Sequence, residues 1–142
     1  MTAKEYLNQY RRLTVAQQRL RREIEAIESQ IGGNVQGDGT PRGSGVSDLT
    51  GALAAELADA KKAYIIAETD AWRKRLEIVQ TINAVKDSVH SLLLYDRYVR
   101  LMRWEMVAED IHANESYTRG RLHGAALKAV QEIIDGERRE GE

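Results

Sequence analysis

Few residue types in this chain could do chemistry. The 142 residues include no Cys, three His (His90, His112 and His123) and no Phe. The absence of Cys excludes disulfides, thiolate zinc sites and cysteine nucleophiles. The three histidines are widely spaced and form no His-Glu-x-x-His set, so no metal site is expected. Glu105, Glu109 and Asp110 are the one local group of acids beside a His. They read as the solvated side of an amphipathic helix rather than as an acid–base pair. No nucleophile elbow, phosphate-binding loop or dinucleotide fingerprint occurs. The expectation is a protein that is not an enzyme and carries no metal or cofactor.

Charge narrows the partner classes. Lys plus Arg number 21 against 22 for Asp plus Glu, a formal net charge of −1. That balance excludes a strongly basic nucleic-acid binder and an acidic tail protein. Arg11, Arg12, Arg19, Arg21 and Arg22 are followed at once by Glu23, Glu25 and Glu28, the pattern of a solvated coiled-coil face. Arg73-Lys74-Arg75 has the same reading, since Glu68, Asp70 and Glu77 surround it. No apolar run is long enough to span a membrane, and the polar start is unlike a signal peptide. A soluble cytoplasmic protein with no membrane partner is expected.

The elements follow from where the breakers stand. Seven of the 11 Gly lie between Gly32 and Gly51, together with the single Pro, Pro41. The segment from Gly32 to Asp48 is too poor in aliphatic residues to offset its ordering entropy, and is expected to be a flexible link. No Gly-Lys-Ser/Thr follows its glycines, so it is not read as a phosphate cradle. Before it, Ala3, Tyr10, Gln17, Ile24 and Ile31 alternate with Tyr6, Leu13, Leu20 and Ile27 at spacings of four and three. That is a heptad seam on one long helix, with Gln17 as its polar member. After the link, with Ser47 or Asp48 as N-cap, Leu53, Leu57, Ala60, Tyr64, Ala67 and Ala71 make a second seam. Lys74 interrupts it, Ile78 and Val85 continue it, and Leu76, Val79 and Ile82 suggest a change of partner near Trp72. The two seams can pair antiparallel across the link or between chains. Each needs a partner, because isolated amphipathic helices are marginal in water.

The last third reads differently. Asp87 or Ser88 offers a cap, and Val89, Leu92, Leu93, Tyr95, Tyr98 and Val99 form an apolar stripe. A polar break at Arg100 to Arg103 precedes a short helix, Trp104 to Ile111. Then come His112-Ala113-Asn114 and a longer helix from Glu115 to about Ile134. Short helix, tight turn and longer helix make a helix-turn-helix pattern. Ala108 is small where two helices must approach, and Val107 and Ile111 supply the inner face. His112 stands where a left-handed residue is usual, and Asn114 is a good N-cap. Thr118, Leu122, Ala125 or Ala126, and Ala129 would face inward, and Trp104 would plug the base of the module.

A resemblance follows from these residues. Arg97-Tyr98, five residues, Trp104-Glu105-Met106-Val107-Ala108-Glu109, and then Arg121-Leu122-His123 resemble the fourth region of sigma-70-class factors. Combined with Leu122-His123-Gly124-Ala125-Ala126-Leu127 and a heptad-rich first half, the layout is similar to ArpU/RinA-type phage transcriptional regulators. The resemblance implies an all-α fold: a long helical hairpin, then a three-helix, sigma-region-four-like helix-turn-helix. The implied division is 1–86 for the arm, including the link at 32–48, 87–136 for the DNA-binding module, and 137–142 for a charged tail. The implied function is sequence-specific binding of double-stranded DNA in phage or prophage transcription, with the recognition helix, about 115–130, in the major groove.

The residues that this geometry would turn to the duplex are Asn114, Glu115, Ser116, Tyr117, Arg119, Gly120 and His123, with Arg100 and Arg103 at the neighbouring helix ends. Arg119 would contact a guanine edge or a phosphate, and Glu115 a cytosine amino group. Ser116 suits phosphate, and Gly120 permits close backbone approach. A homodimer through the N-terminal helices is expected, since one module with few cations binds weakly. Host RNA polymerase is a further candidate partner. The alternatives are an adaptor that binds polymerase or another protein without reading DNA, and a phage packaging subunit. The first draws support from the six basic and six acidic residues between Tyr95 and Ile134.

Overall fold

A computed structural model of the chain describes residues 1–35 and 44–141. Among the described residues every regular element is helical and no strand occurs. The order is α1 (Ala3–Leu7), α2 (Gln9–Val35), α3 (Ser44–Asn83), α4 (Ser88–Leu94), α5 (Trp104–Asp110), α6 (Glu115–Tyr117) and α7 (His123–Glu140). Two π-helical turns, Tyr95–Val99 and Thr118–Leu122, follow α4 and α6 directly. No described helix is long and apolar enough to cross a membrane.

The helical hydrogen-bond ladders explain where elements join. α1 opens on a reciprocal cap: the Glu5 N–H donates to Thr2 Oγ1 at 3.2 Å, and the Thr2 N–H donates to Glu5 Oε2 at 2.9 Å. Between α1 and α2 only Asn8 intervenes, and bonds from Asn8 N to Lys4 O and from Arg12 N to Asn8 O bridge it. The single helix expected from Ala3 to Ile31 is thus interrupted by one residue. α2 then runs through Gly32 to Val35, and α3 is already under way at Ser44. Both ends of the expected link, and the cap placed at Ser47 or Asp48, are therefore helical. The remainder of the link, 36–43, lies outside the described residues. α7 likewise continues to Glu140, so most of the expected charged tail is the end of a helix.

The chain forms two compact units: Met1–Arg12 with Ala71–Glu142, and Leu13–Asp70. The sequence suggested a division at residue 86. The unit instead recruits the first twelve residues, because α1 packs on α7. Ala3 and Leu7 are buried there, and the Ala3 N–H donates to Gln131 Oε1 at 2.7 Å. Their core companions are Ile78, Ile82, Leu93, Leu94, Tyr98, Val107, Ala126 and Val130. Thr81 is buried with its hydroxyl 2.9 Å from the Tyr6 hydroxyl. Val89 and Leu92, assigned to the inward stripe, are exposed. The rest of that stripe turns inward as expected, with Leu93, Tyr98 and Val99 buried and Tyr95 partly so, and Leu94 joins them.

In the other unit the α2 and α3 segments lie antiparallel. Ile24, Ile27 and Ile31 pack with Leu53, Leu57 and Ala60. The Gln17 amide donates to the Tyr64 hydroxyl at 3.2 Å, and Lys61 Nζ lies 3.7 Å from Glu28 Oε1. The expected heptad positions from Leu13 to Ile31 are buried or half-buried, and the rest of that face is solvated except Thr14. Apolar spacing therefore sets which side of each helix turns inward.

Candidate functional site

The region singled out by sequence is built around α5 and the turn after it. Arg103 opens α5 in extended conformation, and its carbonyl accepts from the Met106 and Val107 N–H groups. Val107 is fully buried, and Ala108 is buried beside it. The turn closes by bonds from Ile111 N to Val107 O, His112 N to Glu109 O and Ala113 N to Ala108 O. His112 takes φ of 56°, the left-handed conformation expected of it. Asn114 Oδ1 then accepts from the Tyr117 N–H at 3.2 Å and caps α6. Thr118 holds the inward position expected of it. It is fully buried, and its hydroxyl donates to Asn114 O at 2.7 Å, which satisfies the buried oxygen.

This arrangement leaves Asn114, Glu115, Ser116, Tyr117, Arg119 and Gly120 exposed on one stretch of backbone. Tyr117 keeps about half of its surface, 49%, in solvent. A Cβ added to Gly120 would meet nothing within 4 Å, so no internal packing demands glycine there. Arg100 and Arg103 are exposed as well, and Arg100 Nη1 lies 3.7 Å from Asp96 Oδ1.

His123 departs from expectation. It is only 8% exposed and cannot present itself to a groove. Its Nε2 lies 2.6 Å from the Tyr98 hydroxyl, and the Trp104 ring meets it edge-on at 4.5 Å. Arg97 completes the cluster, with its guanidinium 4.7 Å from the Trp104 ring centre and Nη1 donating to Met102 O at 3.0 Å. The conspicuous Arg97, Tyr98, Trp104 and His123 thus hold the module together. Burial, then Lys4 and Arg97, push His123 down to about 4, so the ring is neutral at ordinary pH. Burial likewise raises Tyr98 above its usual range.

Two features had no sequence signal. Asp96 is completely buried, and neither carboxylate oxygen has a hydrogen-bond partner. Burial and the neighbouring Asp110 carboxylate push it up to about 7, while Arg100 pulls the other way. Leu101 has φ of 58° in the break before α5, a conformation rare for a branched apolar side chain. Trp72, near which a change of helix partner was expected, is 56% exposed, with the Arg75 guanidinium 5.0 Å from its ring centre.

The described residues contain no group of three or more His, Asp or Glu able to hold a metal ion. No family model, curated protein or solved structure matches the chain.

Proposed function

We propose that the chain is a sequence-specific DNA-binding regulator of phage or prophage transcription, of the ArpU/RinA type. In this reading α5, the turn at His112 and the helix beginning at Glu115 act as a helix-turn-helix. The observation that carries it is the exposed run from Asn114 to Gly120 behind a tight turn. Its inner side is anchored by Val107, Ala108 and Thr118, so the outer side is held rigidly for contact. Arg119 and Glu115 would read base edges. Asn114, Ser116, Tyr117, Arg100 and Arg103 would position the backbone, and Gly120 would let it approach closely. His123 is now assigned to the core of the module. The antiparallel α2–α3 pair would act as a helical hairpin arm and carry a homodimer in the cytoplasm. Pairing two modules compensates for the balanced charge of each one.

A second reading has its own observation. Trp72, Leu76, Met106 and Tyr117 are large and exposed, which suits a protein-binding adaptor, with RNA polymerase as one candidate partner. Fluorescence anisotropy with random and genomic duplexes at two salt concentrations separates the two. DNA binding predicts saturable, salt-sensitive affinity that Arg119→Ala weakens by about 1–3 kcal/mol with helicity unchanged. No binding even at low salt removes the DNA reading and leaves the adaptor.

A further inference from the structure

α3 carries two rows of heptad spacing, and only one of them is covered. The inner seam runs through Leu53, Leu57, Ala60, Tyr64, Ala67, Ala71 and Ile78, all buried or half-buried. A second row, Ala55, Ala58, Lys62, Ile65, Thr69, Trp72 and Leu76, repeats the same alternation of three and four. Every member of that row is exposed. α3 is unbroken from Ser44 to Asn83, so helical phase places the row on one side of it. Ile65 keeps 63% of its surface in solvent and Leu76 46%. The outer side of a surface helix is ordinarily charged or polar, yet Lys62 is the only charge in this row. The Thr69 hydroxyl donates to Ile65 O at 3.0 Å, so covering it strands no donor. Trp72 is the type of large ring on which interfaces concentrate affinity.

The charges beside the row select what covers it. Glu68 and Arg75 stand seven residues apart on one flank, and Ile66 and Arg73 on the other. Glu68 forms no ion pair among the described residues. Two copies of α3 laid antiparallel set Ile65 against the partner's Leu76 and Thr69 against the partner's Trp72. The same alignment brings Glu68 to the partner's Arg75, and the symmetric contact repeats it. On the other flank the stem of Arg73 covers the partner's Ile66. A parallel pair would instead hold Lys62 against the partner's Lys62, where like charges repel. The inner seam is already occupied by α2 of the same chain.

We infer that this outer face of α3 is a homodimer interface, in which two copies pack antiparallel about a twofold axis midway between Thr69 and Trp72. The interface rests on the homodimer proposed above and gives it a surface.

The test uses full-length protein. Sedimentation over a range of concentrations should show a wild-type dimer. Ile65→Glu/Leu76→Glu puts acids into the contact and should raise the dimer dissociation constant by about a hundredfold or more. Both positions are solvated in the single chain, so circular dichroism should match wild type. A charge exchange probes the same contact without touching the apolar row. Glu68→Lys and Arg75→Glu should each weaken the dimer, and the two together should restore it. The chain has no Cys, so introduced thiols report register. Ile65→Cys and Leu76→Cys proteins should form a disulfide when mixed and oxidised, whereas each alone should not, because like positions lie too far apart.

A wild type that stays monomeric overturns the inference. So does a dimer indifferent to Ile65→Glu/Leu76→Glu and to the charge exchange, or one in which each Cys variant links to itself. Duplex anisotropy keeps this interface separate from the DNA reading. A dimer of this geometry without duplex binding keeps the interface and removes the DNA reading, and duplex binding by a monomeric wild type does the reverse.

Discussion

The unit of Leu13–Asp70 and the unit of Met1–Arg12 with Ala71–Glu142 solve the same problem, burying helices, in opposite ways. In the first, a single heptad seam does the work, and only Ile27, Leu53 and Ala60 are buried among its described residues. In the second, residues from several helices share one core, and Leu7, Ile78, Ile82, Leu93, Leu94, Val107 and Val130 are sealed from solvent. The second unit also contains the exceptions to ordinary backbone and polarity: two π-helical turns, positive φ at Leu101 and His112, and a buried acid. A seam is tolerant and repetitive. A packed module can hold strained or uncompensated groups because surrounding contacts fix them, and such groups gather where a surface must have a definite shape.

The largest test of this contrast is a pair of truncations. Leu94→Ala removes a fully buried side chain, and should destabilise its unit by about 2–5 kcal/mol. Leu57→Ala removes a half-buried seam residue and should cost about 1 kcal/mol, because water already reaches that position. Urea unfolding followed by circular dichroism measures both. Equal costs would abolish the distinction between seam and sealed core.

Acidity sharpens the contrast further, because the packed module holds two groups with opposing signs. Asp96, raised to about 7 from an ordinary 3.8, keeps its proton in the folded state while the unfolded chain loses it. Its contribution therefore falls as pH rises from about 4 to 7. His123, lowered to about 4 from 6.5, stays neutral when folded while the unfolded chain takes up a proton. Its contribution is complete above 6.5 and is lost as pH falls towards 4. Over the shared window the two offset each other, so the wild-type melting temperature should change little with pH. Asp96→Asn removes one side of the balance. The variant should lose stability on acidification from pH 6.5 to 4.5, and should exceed wild type by about 1–3 kcal/mol at pH 8, where a buried charge is no longer formed. Parallel melting curves for wild type and variant at pH 8 would contradict this account of Asp96.

What could be read in advance divides along the same line. The seams were legible because heptad spacing is a local property: Leu13, Leu20, Ile24 and Ile27 face inward as their periodicity requires. The α5 turn was legible for a similar reason, since a small residue at Ala108, a left-handed His112 and a capping Asn114 follow one another within seven positions. The docking of α1 on α7 was not legible, because Ala3 and Leu7 carry no mark of a partner more than a hundred residues away. His123 misled for a related reason. The resemblance alone turned it toward the duplex, whereas the π-helical turn Thr118–Leu122 precedes it here and its ring packs with Tyr98 and Trp104. Asp96 resembles any surface acid in sequence, and its burial is a consequence of packing that periodicity does not encode. The exposure expected of Asn114, Glu115, Ser116, Tyr117, Arg119 and Gly120 is found and that of His123 is not, whereas a recess lined by Lys4, Asn8, Arg11, Arg97 and Arg119 had no sequence signal, since three of its eight lining residues come from the first twelve.

The smallest effect concerns the polar member of the seam. The Gln17 amide donates one hydrogen bond to the Tyr64 hydroxyl at 3.2 Å, and both side chains are half-buried. Such a bond contributes little net stability, because each group bonds to water equally well in the unfolded chain. Its larger effect is on register: sliding the seam by one turn leaves both groups facing apolar side chains. Gln17→Leu combined with Tyr64→Phe removes both polar atoms, and so avoids stranding either one. The double variant should gain about 1 kcal/mol or less by urea unfolding while losing uniqueness, seen as broader amide resonances for residues 13–31 and a greater tendency to associate in sedimentation. The single change Tyr64→Phe should lose a few tenths of a kcal/mol, since it leaves the Gln17 amide without its partner. Sharp resonances and a clear loss of stability in the double variant would show instead that the bond contributes energy rather than register, and the seam would then resemble the packed module in how its polar groups work.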